Sequence, residues 1–327
     1  MNTHAIDTQD VRFFCGQSHP ALAQGIADYL GVPLEKTHFR RFSNDCMEVQ
    51  LGASVRSRTV FIVQSLVKPV SENLMELLIM LDIAHKAGAT NIHAIIPYYA
   101  YARSDKKDAP RISITARLVA DLLVTAGATH VMTMTLHSPQ VHGFFSVPTD
   151  VLTARNEIAR YFLTRDLSKT VVISPDAGHG KSAARFAHML ELPVLAAEKE
   201  RISDSEVRIS GLFGEQIRHY QRALVYDDEI STGGSTVGIC QELVKNGVRE
   251  IIPICTHGVF SGKSLEHLGK IPEIVEIVTT DTVPAPRHSS IPITTLTVIP
   301  IFGEAIWRNQ TRQSIGGLFS YWKETES

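Results

Sequence analysis

Residues 223–237 limit what this chain can fold into. They read Ala-Leu-Val-Tyr-Asp-Asp-Glu-Ile-Ser-Thr-Gly-Gly-Ser-Thr-Val. The apolar opening, Ala223 to Val225, suits a strand buried on both faces. Asp227 and Asp228 follow, then a turn rich in hydroxyls and glycine, Ser231 to Thr236. Beyond it Val237, Cys240, Leu243 and Val244 fall at helical spacing. A strand that turns directly into a helix is the unit of a parallel α/β sheet. Backbone N–H groups at the helix start, cleared of side chains by Gly233 and Gly234, can surround a phosphate. Hydroxyls of Ser231, Thr232, Ser235 and Thr236 add hydrogen bonds. The carboxylates of Asp227 and Asp228 repel a phosphate and suit sugar hydroxyls or a nearby Mg²⁺. A strand-turn-helix with a simple Ser/Thr cap has the same outline. The adjacent acids at the strand end favour a site.

The same alternation fills the rest of the chain. Apolar strand patterns at Val11–Cys15, Val60–Ser65, His93–Pro97 and His130–Met134 alternate with helical ones at Ala21–Leu30, Asn73–Ala87 and Ile114–Ala126. A second cycle begins at Val151. Its strands are expected at Thr170–Ser174, Pro193–Ala197, Arg208–Leu212, Ala223–Tyr226, Ile251–Cys255, Glu276–Val278 and Thr295–Val298. The expected fold class is α/β, two tandem domains each with a mostly parallel central sheet flanked by helices. Residues 1–150 would form the first and 151–302 the second, with a terminal helix about 303–327 packing back on the first.

Composition narrows the function classes. The 327 residues carry a formal net charge of −2, so nothing draws the whole chain to nucleic acid or anionic membranes. No apolar run suits a membrane span, and residues 1–12 lack a secretory pattern. Cys15, Cys46, Cys240 and Cys255 have no CxxC spacing. A reducing, cytoplasmic setting is expected.

Ligands of open parallel sheets gather at the carboxyl ends of strands. After Ile96 come Tyr98, Tyr99, Tyr101, Arg103, Ser104, Asp105, Lys106 and Lys107, a candidate polyphosphate edge in which Arg103 can fork onto phosphate. After Met134 comes His137, and after Ser174 comes Asp176. Either is structural by default and a metal, sugar or phosphate contact at best. Lys199 and Arg201 alternate in a charged segment, so an extended backbone turns both to one side. They suit charge developing on a transferred phosphoryl group. A solvated hairpin reads the same locally.

Together these segments resemble one family, the ribose-phosphate pyrophosphokinases (PRPP synthetases). The resemblance covers residues from about 13 to 319 and includes Val60–Asp82, Ile95–Asp105, Ile114–Leu123 and Gln140–Phe145. Phosphoribosyltransferases share only the 223–237 loop. The resemblance implies transfer of the diphosphoryl group of MgATP to the 1-hydroxyl of ribose 5-phosphate, giving PRPP and AMP. It implies that Asp227 and Asp228 face the ribose hydroxyls and that Ser231, Thr232, Gly233, Gly234 and Ser235 hold the 5-phosphate. His137 and Asp176 would sit at Mg²⁺ and the reacting groups. Arg103, Ser104 and Asp105 would contact ATP, and Phe42 and Asn44 would meet the adenine from a neighbouring subunit. Lys199 and Arg201 would be loop cations that close over the phosphates. The family forms homodimers that assemble into hexamers. Ser231, Thr135, Cys46, Ser104 and His179 depart from its usual residues, which leaves two alternatives: a paralogue acting on another sugar phosphate or nucleotide, or a non-catalytic regulatory subunit.

Overall fold

The computed structural model describes residues 4, 6–176, 178–197, 199–201, 207–209 and 215–318, with side chains left out at 199–201, 207–209 and 215. The chain forms two compact units. One comprises Met1–Thr153, Thr282–Pro284 and Thr297–Ser327; the other comprises Ala154–Asp281 and Ala285–Leu296.

The first unit begins with β1 (Val11–Cys15), α1 (Pro20–Leu30), β2 (Thr37–Arg41), β3 (Met47–Leu51), β4 (Thr59–Val63) and α2 (Val70–Lys86). It continues through β5 (Asn91–Ile96), α3 (Thr115–Thr125), β6 (His130–Met134) and β7 (Thr149–Leu152). Five strands form a parallel sheet in the order β1-β4-β5-β6-β7, and β2 and β3 make a separate antiparallel hairpin. Val60, Phe61, Ile62 and Val63 are all buried. Both faces of the central strand are covered, so the sequence shows an unbroken apolar run. β7 places Val151 and Leu152 beside Thr133 and Met134, so the first sheet extends past the boundary expected at 150.

A ring stack crosses this sheet. His93 stacks on Phe61 at 4.4 Å and lies 4.9 Å from the His130 ring, while His130 Nε2 meets Asp150 Oδ2 at 2.8 Å. Burial, and secondarily His130, pushes His93 down to about 3. The folded ring stays neutral, whereas the unfolded ring takes a proton below about 6.5. This contribution is therefore complete above pH ~6.5 and is lost as pH falls toward 3. His93→Phe is expected to flatten the acid limb of the stability–pH curve in that window, read by urea unfolding. An unchanged slope would clear His93 of the effect.

The second unit holds α4 (Arg155–Leu163), β8 (Thr170–Ser174), α5 (Gly180–Met189), β9 (Val194–Ala196), β10 (Lys199–Arg201) and β11 (Val207–Ile209). It continues with β12 (Arg222–Ile230), α6 (Gly234–Lys245), β13 (Glu250–Gly258), α7 (Ser264–Leu268), β14 (Ile277–Thr280) and β15 (Ile293–Leu296). Six strands form a parallel sheet in the order β15-β14-β13-β12-β8-β9. β10 and β11 form an antiparallel hairpin pairing Lys199 with Ile209 and Arg201 with Val207. The strand expected over Arg208–Leu212 is β11, one residue earlier; residues 210–214 lie outside the described residues.

β12 corrects the reading of the key stretch. The strand does not stop at Tyr226 but runs to Ile230, with Asp227 opposite Cys255 and Glu229 opposite His257 on β13. Backbone pairing to an equally long neighbour carries the strand through its acidic residues. The last helix, α8 (Ile299–Gln310), belongs to the first unit and packs on α1. Gly303 permits that approach, since a Cβ there would lie 2.3 Å from the Tyr29 ring. No helix among the described residues is long and apolar enough to cross a membrane.

Candidate active site

In the second unit, the candidate residues converge at the carboxyl ends of adjacent strands β8, β12 and β13. Gly233 caps α6 with φ 76°, a left-handed conformation. A Cβ on Gly233 would lie 2.6 Å from Ser264 Oγ. Both facts require glycine. Gly234 is the first residue of α6, and a Cβ there would meet nothing within 4 Å. The helix start therefore presents backbone N–H groups to open space, flanked by exposed Thr232 and Ser235. Gly233→Ala is expected to cost about 2 kcal/mol through the left-handed backbone and the Ser264 clash. Chemical denaturation measures it; an unchanged midpoint would contradict this account of the turn.

Two residues overlooked in the sequence brace the turn. The Ser261 N–H donates to the Ser231 carbonyl at 2.9 Å, and their hydroxyls lie 3.4 Å apart. Ser264 is buried, and its Oγ has no hydrogen-bond partner among the described residues. The available signal was the polar turn Ser261-Gly262-Lys263-Ser264 following an apolar strand.

The acid pair is tightly held. The Asp228 N–H donates to Asp227 Oδ1 at 2.8 Å. His179, on the turn after β8, places Nε2 3.1 Å from Asp228 Oδ1 and 3.9 Å from Asp227 Oδ1. Its Nδ1 lies 3.1 Å from Asp176 Oδ1, which also accepts the His179 N–H at 2.9 Å. The carboxylates of Asp176, hydrogen-bonded to the ring, and then of Asp228, in ion-pair contact with it, raise His179 to about 10. Burial, then the charge of Asp228, pushes Asp227 well above the usual carboxylate range, while His179 opposes the rise. Asp176, Asp227 and Asp228 supply the hard oxygen donors that suit Mg²⁺. The sequence noted His179 only as a departure, because its link to Asp228 depends on β8 lying beside β12.

The remaining candidates sit on the first unit or on the β10–β11 hairpin. Arg103 is exposed and ends a short 3₁₀ turn, Ala100–Arg103, after β5. Ser104 ties that turn to α3: its carbonyl accepts the Ala116 N–H and its Oγ the Thr115 N–H. Asp105 and His137 are half-buried. Thr135, at the end of β6, has φ 44°. That is a strained backbone for a β-branched residue. Phe42 is exposed beyond β2, with the Arg40 guanidinium 4.8 Å from its ring centre, and Asn44 Oδ1 accepts the Cys46 N–H at 3.2 Å. Lys199 and Arg201 lie on β10, with only the backbone described.

Residues 11–127 match the N-terminal domain of ribose phosphate pyrophosphokinase, and residues 219–320 match the phosphoribosyl synthetase-associated domain. The chain belongs to the ribose-phosphate pyrophosphokinase family. It is 48% identical over 312 residues to a putative ribose-phosphate pyrophosphokinase of Streptomyces coelicolor, covering 95% of this chain and 98% of that one. Identity to the ribose-phosphate pyrophosphokinase of Deinococcus radiodurans is 43% over 313 residues, covering 94% and 97%. The crystal structure of phosphoribosylpyrophosphate synthetase from Mycobacterium smegmatis superposes with a TM-score of 0.85 at 33% identity, covering 93% of this chain and 99% of that one. The α/β fold expected from the sequence is the family's fold. The family's reaction is this chain's reaction: ATP-dependent diphosphoryl transfer to ribose 5-phosphate.

Proposed function

We propose that the second unit binds the ribose 5-phosphate acceptor and that the first supplies the nucleotide contacts. The observation that carries this reading is the open start of α6 at Gly234, close in sequence to Asp227 and Asp228 in the last residues of β12 before Ile230. The 5-phosphate would take the N–H groups and hydroxyls of Ser231 to Ser235. The ribose hydroxyls would donate to the acid pair. Arg103, Ser104 and Asp105 would hold the ATP phosphates and ribose, with Phe42 and Asn44 meeting the adenine in a homodimer that assembles to a hexamer.

Mg²⁺ is the cofactor this reading requires. When bound, it neutralises charge on the transferring phosphates. Asp176 would offer it a carboxylate oxygen. His137, a poorer Mg²⁺ ligand, would act on a phosphate or through a water. Lys199 and Arg201 would place positive charge on the diphosphoryl group in the transition state. A cytoplasmic setting fits these substrates.

The test is purified protein with MgATP and ribose 5-phosphate, followed by NMR. AMP and PRPP are expected in equal amounts, and EDTA is expected to stop turnover. ADP in place of AMP would mean transfer of one phosphoryl group and sink the proposal. Ser231 and His179 lie in the acceptor half, so the same assay with other pentose phosphates reads acceptor choice.

A further inference from the structure

We infer that the turn at 261–264 forms a second wall of the acceptor-phosphate cradle, in which Lys263 supplies the cation that the glycine turn lacks and so favours an acceptor with a terminal phosphate. This deepens the proposed function and rests on residues 231–235 holding that phosphate.

Residues 227–236 carry three carboxylates, Asp227, Asp228 and Glu229, and no cation. Within that segment, backbone dipoles alone would have to balance a dianionic phosphate ester. The turn at 261–264 is docked directly on it. The Phe260 N–H donates to the Ile230 carbonyl at 3.0 Å, and the Ser261 N–H to the Ser231 carbonyl at 2.9 Å. Ser264 approaches Gly233 with its hydroxyl leading. From the place a Gly233 Cβ would take, Ser264 Oγ lies at 2.6 Å, its Cβ at 3.5 Å and its Cα at 3.7 Å. Ser264 is 1% exposed, and its hydroxyl has no hydrogen-bond partner among the described residues. A buried polar atom left unpaired is costly. A phosphate oxygen seated in the turn would give it an acceptor. Lys263 precedes Ser264 by one residue, so its Cα lies within about 7.5 Å of the same point. Its side chain is exposed and pairs with no acid among the described residues. The four-carbon stem lets the ammonium swing over the start of α6. Local structure does not ask for a lysine here. Lys263 is the N-cap of α7 yet makes no side-chain cap bond, which Ser, Thr, Asp or Asn would make. Bracing the phosphate turn accounts for Ser261 alone and leaves Lys263 and the Ser264 hydroxyl without a role.

Steady-state kinetics at saturating MgATP test this. Lys263→Met is expected to raise KM for ribose 5-phosphate roughly fivefold to tenfold, with kcat and KM for ATP within about twofold. Lys263→Arg keeps the charge and is expected to stay within about threefold of wild type. Added KCl is expected to raise the wild-type KM more steeply than that of Lys263→Met, because salt screens a charge that the variant lacks. An unchanged KM in Lys263→Met, an equal loss in Lys263→Arg, or parallel salt dependences overturns the inference. So does a KM rise shared by ATP. Gly234→Val tests the underlying assignment separately. Its side chain enters the open space at the start of α6, and KM for ribose 5-phosphate is expected to rise by about tenfold or more. Gly234→Ala is the milder form should the valine variant fail to fold. An unchanged KM at Gly234 overturns the acceptor assignment, and the inference with it. A raised KM at Gly234 beside an unchanged Lys263→Met overturns the inference alone.

Discussion

Lys199→Ala is expected to lower kcat for PRPP formation by roughly a hundredfold to a thousandfold, with KM for ATP and ribose 5-phosphate moving less than about threefold. Diphosphoryl transfer needs positioning and charge neutralisation more than covalent assistance. A cation that meets the phosphates only as charge redistributes contributes to the transition state and little to ground-state binding. Lys199 and Arg201 share the short strand β10, paired to β11 through Ile209 and Val207. Two cations acting on one group should not contribute independently. Lys199→Ala combined with Arg201→Ala should therefore cost less than the product of the two single losses. AMP release at saturating substrates measures kcat. A raised KM with unchanged kcat would move Lys199 to substrate capture, and an unchanged profile would remove it from the reaction.

Much of the fold was legible because its strands are buried on both faces. Val60–Val63 and Val171–Ile173 are unbroken apolar runs, and in this length range such runs bounded by turns read as parallel strands. β7 was not legible. It is an edge strand reading Thr-Asp-Val-Leu, and Asp150 is there to meet His130 rather than to fill a core. The end of β12 was missed for a related reason. Asp227, Asp228 and Glu229 look like turn residues, but β13 offers backbone partners whatever the side chains are. The phosphate turn was readable because its requirements are local: left-handed φ at Gly233 and an open helix start at Gly234. Partners brought in by strand order were not readable. His179 reaches Asp228 because β8 pairs with β12, and Ser261 and Ser264 reach the turn because β13 lies on its other side. Sequence spacing holds no record of those adjacencies.

Asp228→Asn separates the acid pair's role in binding from its role in folding. Its kcat/KM for ribose 5-phosphate is expected to fall by roughly tenfold to a hundredfold, the value of about 1.5–3 kcal/mol for a hydrogen bond to a charged group. KM for ATP should stay within about twofold, since the acid pair would touch only the acceptor. Stability should change little, because two effects oppose each other. The substitution removes the 3.1 Å ion pair with His179, which destabilises. It also removes the like charge beside Asp227, which lets that carboxyl relax toward its ordinary range. Asn keeps the size of the side chain, so no cavity opens. Kinetics with each substrate varied in turn, alongside urea unfolding, measure all three quantities. A KM rise shared equally by ATP would mean that the variant disturbs the whole site. A large stability loss with unchanged kinetics would assign Asp228 to the fold and leave the sugar hydroxyls to Asp227 alone.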